Sequence, residues 1–395
     1  MSKLSNVSCY VTEKISVDSI DISEYITTDN LLQNKKGRVI AEKLPTQKVT
    51  RFKKNDILIA NIRPYLKKIW QADIDGGASS DVLVVRPNDV IDNNFLYYAL
   101  TQDSFFEYVM KGSKGTKMPR GDKSQIMDFV IPNLEIDEQI KIGKLLKSID
   151  QKIQINNQIN QELEAMAKTL YDYWFVQFDF PDQNGKPYKS SGGKMVYHPE
   201  LKREIPEGWG VDSLWNISNF YNGLAMQKYR PDTNEDGYLP VIKIREMMNG
   251  FSKDTEKARL DIPTEAVVES GDILFSWSAT LEVIIWGKER GALNQHIFKV
   301  TSDTYPKSFI YFELKSYLKV FKSIAELRKT TMGHITQDHL KQAKIVVPPI
   351  EIISKLDAKL QPTMLKQQIL ENQNQELTQL RDWLLPMLMN GQVII

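Results

Sequence analysis

Residues 136–178 read IDEQIKIGKLLKSIDQKIQINNQINQELEAMAKTLYDYWFVQF. Within them Ile142, Leu146, Ile149, Ile153, Asn156, Asn160, Leu163, Ala167, Leu170 and Trp174 alternate at spacings of four and three. That is the seam of a helix packed along its length against another helix. At a rise of ~1.5 Å per residue it makes a rod of roughly 60 Å. An ordinary globular helix is much shorter, and a rod of this kind separates or joins things. An ordinary core helix would explain one such stretch, but the chain contains two.

The second lies at residues 350–395, where Asn160-Gln161-Glu162-Leu163 recurs as Asn374-Gln375-Glu376-Leu377. Each copy follows a short apolar run ending in proline, Phe129-Val130-Ile131-Pro132 and Ile345-Val346-Val347-Pro348-Pro349. Further upstream Asn55-Asp56-Ile57-Leu58-Ile59 matches Gly271-Asp272-Ile273-Leu274-Phe275, and Phe95-Leu96-Tyr97-Tyr98 matches Phe309-Ile310-Tyr311-Phe312. One unit, a globular module plus a long helix, is therefore written twice, roughly 215 residues apart. Such a repeat constrains architecture more than local propensity does. The expected division is a first module over 1–133, a long helix over 134–178, a linker over 179–205, a second module over 206–349 and a second long helix over 350–395. A two-fold repeat reverses the second helix against the first, so the two are predicted to be antiparallel. Asn156, Asn160 and Asn374 fall on their seams, where a polar residue costs stability but sets register.

The chain has 395 residues, enough for two or three domains with their own cores. No apolar run approaches the ~18 residues of a membrane span. The N-terminal MSKLSNVSCYVTEK lacks the apolar core of a secretion signal. A single cysteine, Cys9, excludes an internal disulfide and fits a reducing cytoplasm. Formal net charge is +1, so any binding to nucleic acid rests on local patches.

Such patches exist. Between Lys35 and Lys68 stand eleven Lys or Arg against Glu42 and Asp56. Asp56 to Lys68 reads as a strand, a turn at Arg63-Pro64 and a basic aromatic exit with Tyr65, Lys67 and Lys68. Gly76-Gly77-Ala78-Ser79-Ser80-Asp81, with Ser79 and Ser80 as candidates, reads as a turn before an apolar strand, and residues 94 to about 110 read as helix. The loop from Lys111 to Arg120 then carries Lys114, Thr116, Lys117 and Arg120 with two glycines that permit close approach. In the second module the candidates are Lys228, Tyr229 and Arg230 in a loop, and Lys243 and Arg245 on one face of an expected strand. Ser276-Trp277-Ser278 takes the place of Asn61-Ile62-Arg63, and Asn294-Gln295-His296 that of Ser79-Ser80-Asp81. Arg328, Lys329, Thr330 and His334 stand for the second basic loop of the first copy. Different polar residues on one repeated frame suit two readers of two different base sequences. Drift of solvated surface loops would look the same.

Catalytic signals are missing. Val347-Pro348-Pro349-Ile350 lacks the polar first residue and aromatic last residue of an amino-methyltransferase motif. Gly208-Trp209-Gly210 lacks the strand-to-helix setting of a cofactor loop, and no P-loop is present. The histidines His198, His296, His334 and His339 are scattered, so neither a catalytic residue, a metal site nor a bound cofactor is expected in this chain.

The chain resembles the specificity subunits of type I restriction–modification systems along its whole length. The resemblance is carried by Pro187-Tyr188-Lys189-Ser190-Ser191-Gly192-Gly193-Lys194-Met195-Val196-Tyr197, running on to Glu204-Ile205-Pro206-Glu207-Gly208-Trp209. The Asn-Gln-Glu-Leu helices and the Asp-Ile-Leu strands fit as well. It implies an α+β protein with two pseudo-symmetric target-recognition domains separated by two long antiparallel helices. Each domain would enter the major groove of one half of an asymmetric, interrupted double-stranded DNA site. Two methyltransferase subunits carrying S-adenosylmethionine would dock beside the helices, with a motor-nuclease subunit joining for cleavage. Two other readings remain open from the residues alone: a coiled-coil scaffold with two protein-binding modules, and a self-sufficient DNA methyltransferase or nuclease.

Overall fold

A computed structural model describes residues 1–232, 237–327 and 334–393. It divides into two compact units, Met1–Ile153 with Glu376–Ile395, and Gln154–Gln375. Each unit thus combines one module with part of both long helices.

In the first unit a four-stranded antiparallel sheet has the spatial order Ser8–Tyr10, Val82–Pro87, Ile57–Ala60, Ile69–Gln71. Ile57-Leu58-Ile59 is covered on both faces, which explains its unbroken apolar run. A second sheet orders Lys14–Ile15, Val49–Phe52, Gly76–Ala78 and Tyr25–Ile26, the last pair parallel. Ser2–Lys3 pairs with Val130–Ile131, bringing the module's two ends together just before the first long helix.

The second unit repeats this plan. Its antiparallel sheet orders Asn219–Asn222, Ile297–Thr301, Ile273–Ser276 and Glu282–Ile285. Gly210–Ser213 pairs with Lys344–Val347 ahead of the second long helix. The frames agree residue by residue: Ile57 faces Val85 in one and Ile273 faces Val300 in the other. Glycine recurs where a strand passes close under a neighbouring backbone. A Cβ on Gly76 would lie 2.2 Å from the Glu24 carbonyl oxygen, and one on Gly291 would lie 2.9 Å from that of Pro240. The copies differ at the edge of the second sheet. Lys14–Ile15 adds beside Val49–Phe52 in the first, whereas Lys257–Ala258 adds beside Leu239–Ile242 in the second.

Four expectations need correction. The helix expected from 94 to about 110 is two, Asn93–Thr101 and Asp103–Lys111, because Gln102 is extended. Its counterpart Lys307–Leu327 runs unbroken. Lys243 and Arg245 do not share a strand face: the strand ends at Ile242, and Ile244–Asn249 is a helix entered through Lys243. The stretch read as a linker holds a hairpin, Met195–His198 with Arg203–Pro206. Finally, the first long helix, expected over 134–178, runs over 136–176. It is α-helical over Ile136–Tyr171, widens to a π turn over Asp172–Val176, and is broken by Phe178 in the left-handed region at φ 66°. The wider turn lets the consecutive residues Trp174 and Phe175 both enter the core.

The second long helix spans Ile350–Met389. The seam residues of the first helix are buried or half-buried throughout. In the second unit Asn156 Nδ2 donates to Asn374 Oδ1 at 2.9 Å and to Gln373 Oε1 at 2.8 Å. Asn374 Nδ2 donates to Asn157 Oδ1 at 2.8 Å, and Gln367 Nε2 to Glu164 Oε2 at 3.2 Å. Pairing of 157 with 374 and of 164 with 367 makes the helices antiparallel here. In the first unit Arg381 Nη1 lies 2.7 Å from Asp150, and Leu385, Leu388 and Met389 join the core around Phe95 and Phe105.

Candidate nucleic-acid interface

At one end of each antiparallel sheet, two neighbouring strands and a later loop are tied together. In the first module Asn61 follows the strand Ile57–Ala60, and its N–H donates to the Asp81 carbonyl at 2.8 Å. Its own carbonyl accepts from Gly121 N–H at 3.1 Å. These two bonds place Asn61, Asp81 and Arg120 side by side, with the Arg120 guanidinium 3.2 Å from the Asp81 carboxylate.

The second module makes the same two ties: Trp277 N–H donates to the His296 carbonyl at 3.3 Å, and Ile335 N–H to the Trp277 carbonyl at 2.9 Å. Trp277, His296 and His334 therefore occupy the places of Asn61, Asp81 and Arg120. Trp277 rather than Ser276 corresponds to Asn61, in step with the strand match of Ile57 to Ile273; the expected alignment of Ser276 with Asn61 is one residue out of that step. The indole centroid lies 5.6 Å from the His296 ring and 5.7 Å from the His334 ring. Its N–H donates to Asn222 Oδ1 at 3.0 Å, and Gln295 Nε2 lies 3.4 Å from His296 Nε2.

Around the first cluster lie exposed Ser80, Thr116, Lys117 and Lys114, the last 3.6 Å from Asp122. Arg63, with φ 53°, opens the short turn Pro64–Leu66 and is exposed, as is Tyr65. Lys67 and Lys35 converge on Asp103 at 2.8 and 3.0 Å. Lys68 donates to the Thr28 carbonyl, and burial holds its pKa below the usual lysine value. Ser79 is half-buried, its N–H bonded to the Ile26 carbonyl at 2.8 Å.

In the second module Lys228 and Arg230 are exposed, and Tyr229 lies under Arg259 at 5.5 Å. Lys243 pairs with Glu256 at 2.5 Å, which holds that carboxyl below its usual range. Arg245 pairs with the buried Glu246 at 2.6 Å. Ser276 and Asn294 are buried: the Ser276 hydroxyl closes its turn by accepting from Glu282 N–H at 2.9 Å, and Asn294 N–H donates to the Ile242 carbonyl at 3.1 Å. Arg328, Lys329 and Thr330 lie outside the described residues. Asp81, Asn61 and Asn222 were not singled out by composition. The repeat already sets Asp81 against His296, but an acidic residue is not an expected candidate beside DNA. Among the described residues no group of three His, Cys, Asp or Glu side chains could hold a metal, and no helix is long and apolar enough to cross a membrane.

Two copies of one α+β frame, differing in the polar side chains at the same sheet end, define a duplicated recognition protein. The model of the type I restriction modification DNA specificity domain matches residues 11–165 and 206–379. The chain belongs to that family, the DNA specificity subunits of type I restriction–modification systems. It is 27% identical to the MjaIX specificity subunit of Methanocaldococcus jannaschii over 78% of this chain and 71% of that one. It is 24% identical to the HindI specificity subunit of Haemophilus influenzae over 99% and 98% of the two chains. Its fold is similar to the crystal structure of a type I S subunit from M. genitalium, with a TM-score of 0.55, 17% identity, and 98% and 95% of the chains covered.

Proposed function

We propose that each module reads one half of an asymmetric, interrupted DNA site from the major groove, and that the long helices space the two readings and dock two methyltransferase subunits. Adenine-N6 methylation with S-adenosylmethionine, and cleavage by a joining motor-nuclease subunit, then belong to the partners, all within the cytoplasm. The observation that carries this reading is the pair of equivalent clusters, Asn61–Asp81–Arg120 and Trp277–His296–His334, on one backbone register. A shared frame with different hydrogen-bonding groups presents two different donor and acceptor patterns to base edges. Exposed cations such as Arg63, Lys114, Lys117, Lys228 and Arg230 supply phosphate contacts. The test replaces residues 206–349 with the second module of a related specificity subunit and sequences the methylated DNA. One half of the motif should change and the other persist; a hybrid that alters both halves at once would sink the proposal.

A further inference from the structure

Arg120 is held unlike the other cations of the first module's loops. Its N–H donates to the Lys114 carbonyl and its carbonyl accepts from Lys114 N–H, both at 3.0 Å. It is bridged to Ile62, and the next residue is tied to Asn61. The backbone is thus pinned from two sides. The side chain is braced by the Asp81 carboxylate at 3.2 Å yet remains 59% exposed. Asp81 is fixed in turn, since its carbonyl accepts from Asn61 N–H. By contrast Lys35 and Lys67 are drawn to Asp103, and Lys68 is folded onto Thr28. The Lys114 side chain is 87% exposed with only a 3.6 Å contact to Asp122.

A guanidinium held to a carboxylate at one terminal nitrogen, Nη2, loses less side-chain freedom on binding and keeps further N–H donors of its plane to present. In the major groove the partner for that fork is guanine, whose O6 and N7 are adjacent acceptors. We propose that Arg120, oriented by Asp81, reads a guanine in the half-site of the first module. This rests on the DNA-reading function proposed above. It is confined to that half-site, because His296 and His334 stand at the equivalent positions and supply no guanidinium.

The recognised motif is first read from methylated DNA. The full chain, assembled with its methyltransferase subunits, is then titrated with duplexes in which each guanine of the first half-site is replaced in turn by 7-deazaguanine. That base keeps Watson–Crick pairing but lacks N7. One position should cost the wild-type complex about tenfold or more in affinity. Arg120→Lys should show a loss of that size on the natural duplex and no further loss on the 7-deaza duplex. Asp81→Asn should show a smaller loss at the same position. A uniform loss on every duplex, with a shallower salt dependence, would put Arg120 on a phosphate and overturn the proposal. So would a first half-site with no sensitive guanine. A wild-type complex that binds all sequences alike would instead overturn the function on which the proposal rests.

Discussion

Asn156 is fully buried between the long helices, where a leucine would pack more favourably. Its amide holds Asn374 and Gln373. Asn156→Leu strands those acceptors, and we expect a loss of about 1–3 kcal/mol in urea unfolding. The double variant Asn156→Leu/Asn374→Leu should recover most of it, because replacing both partners leaves far less unsatisfied. A single variant as stable as the wild type would show that the pair contributes no register energy. Glu313 is a residue the sequence did not expose. Burial raises its carboxyl to about 7, although the hydroxyl of Tyr171 donates to it. The folded state therefore keeps a proton that the unfolded chain has already released. This contribution is fully present below the unfolded carboxyl range near pH 4.5 and is lost as pH rises through about 7. The decline is on the order of 3 kcal/mol. Glu313→Gln should flatten the pH dependence of second-unit stability between those values; an unchanged profile would show that Glu313 does not cause it.

At the scale of elements, the strands were legible where they are buried on both faces. Ile57-Leu58-Ile59 and Ile273-Leu274-Phe275 are such runs, and their match placed the two sheets in one register. The strand Gly76–Ala78 was read only as a turn, since two glycines carry no periodic signal. Its geometry shows why glycine stands there, and gives a graded expectation. Gly76→Ala drives a Cβ into a backbone oxygen at 2.2 Å. Gly291→Ala meets one at 2.9 Å and the movable end of Ile242 at 2.8 Å. Overpacking costs about 1–3 kcal/mol, and we expect Gly76→Ala at or beyond the upper end with Gly291→Ala nearer the lower. Thermal melts showing the reverse order would contradict this account. The expected strand through Lys243 and Arg245 failed for a related reason: alternation over four residues is too short to separate a strand end from a helix start, and Lys243 is drawn to Glu256 thirteen residues on.

At the scale of the molecule, the last residues of the chain belong to its first unit. Leu388 is fully buried in the core that holds Phe95 and Phe105. Leu388→Ala should therefore cost about 2–5 kcal/mol. Hydrogen exchange should quicken in Asn93–Thr101 while Lys307–Leu327 stays protected. Faster exchange confined to Lys307–Leu327 would mean that the C-terminal turn supports the wrong module.

The sequence by itself determined the duplication, the two long helices and the positions of the amides on their seam. These depend on periodicity and on self-similarity, and both survive in a one-dimensional string. It also marked most of the exposed cations, because lysine and arginine outside an apolar pattern stay solvated. Tertiary structure alone decided which of them are spent on internal carboxylates, as Lys35 and Lys67 are on Asp103. It also decided that Asp81 braces Arg120. Such pairings join side chains tens of positions apart once the strands and loops that carry them are brought together. Their partners are set by sheet register and loop path, which local composition does not encode.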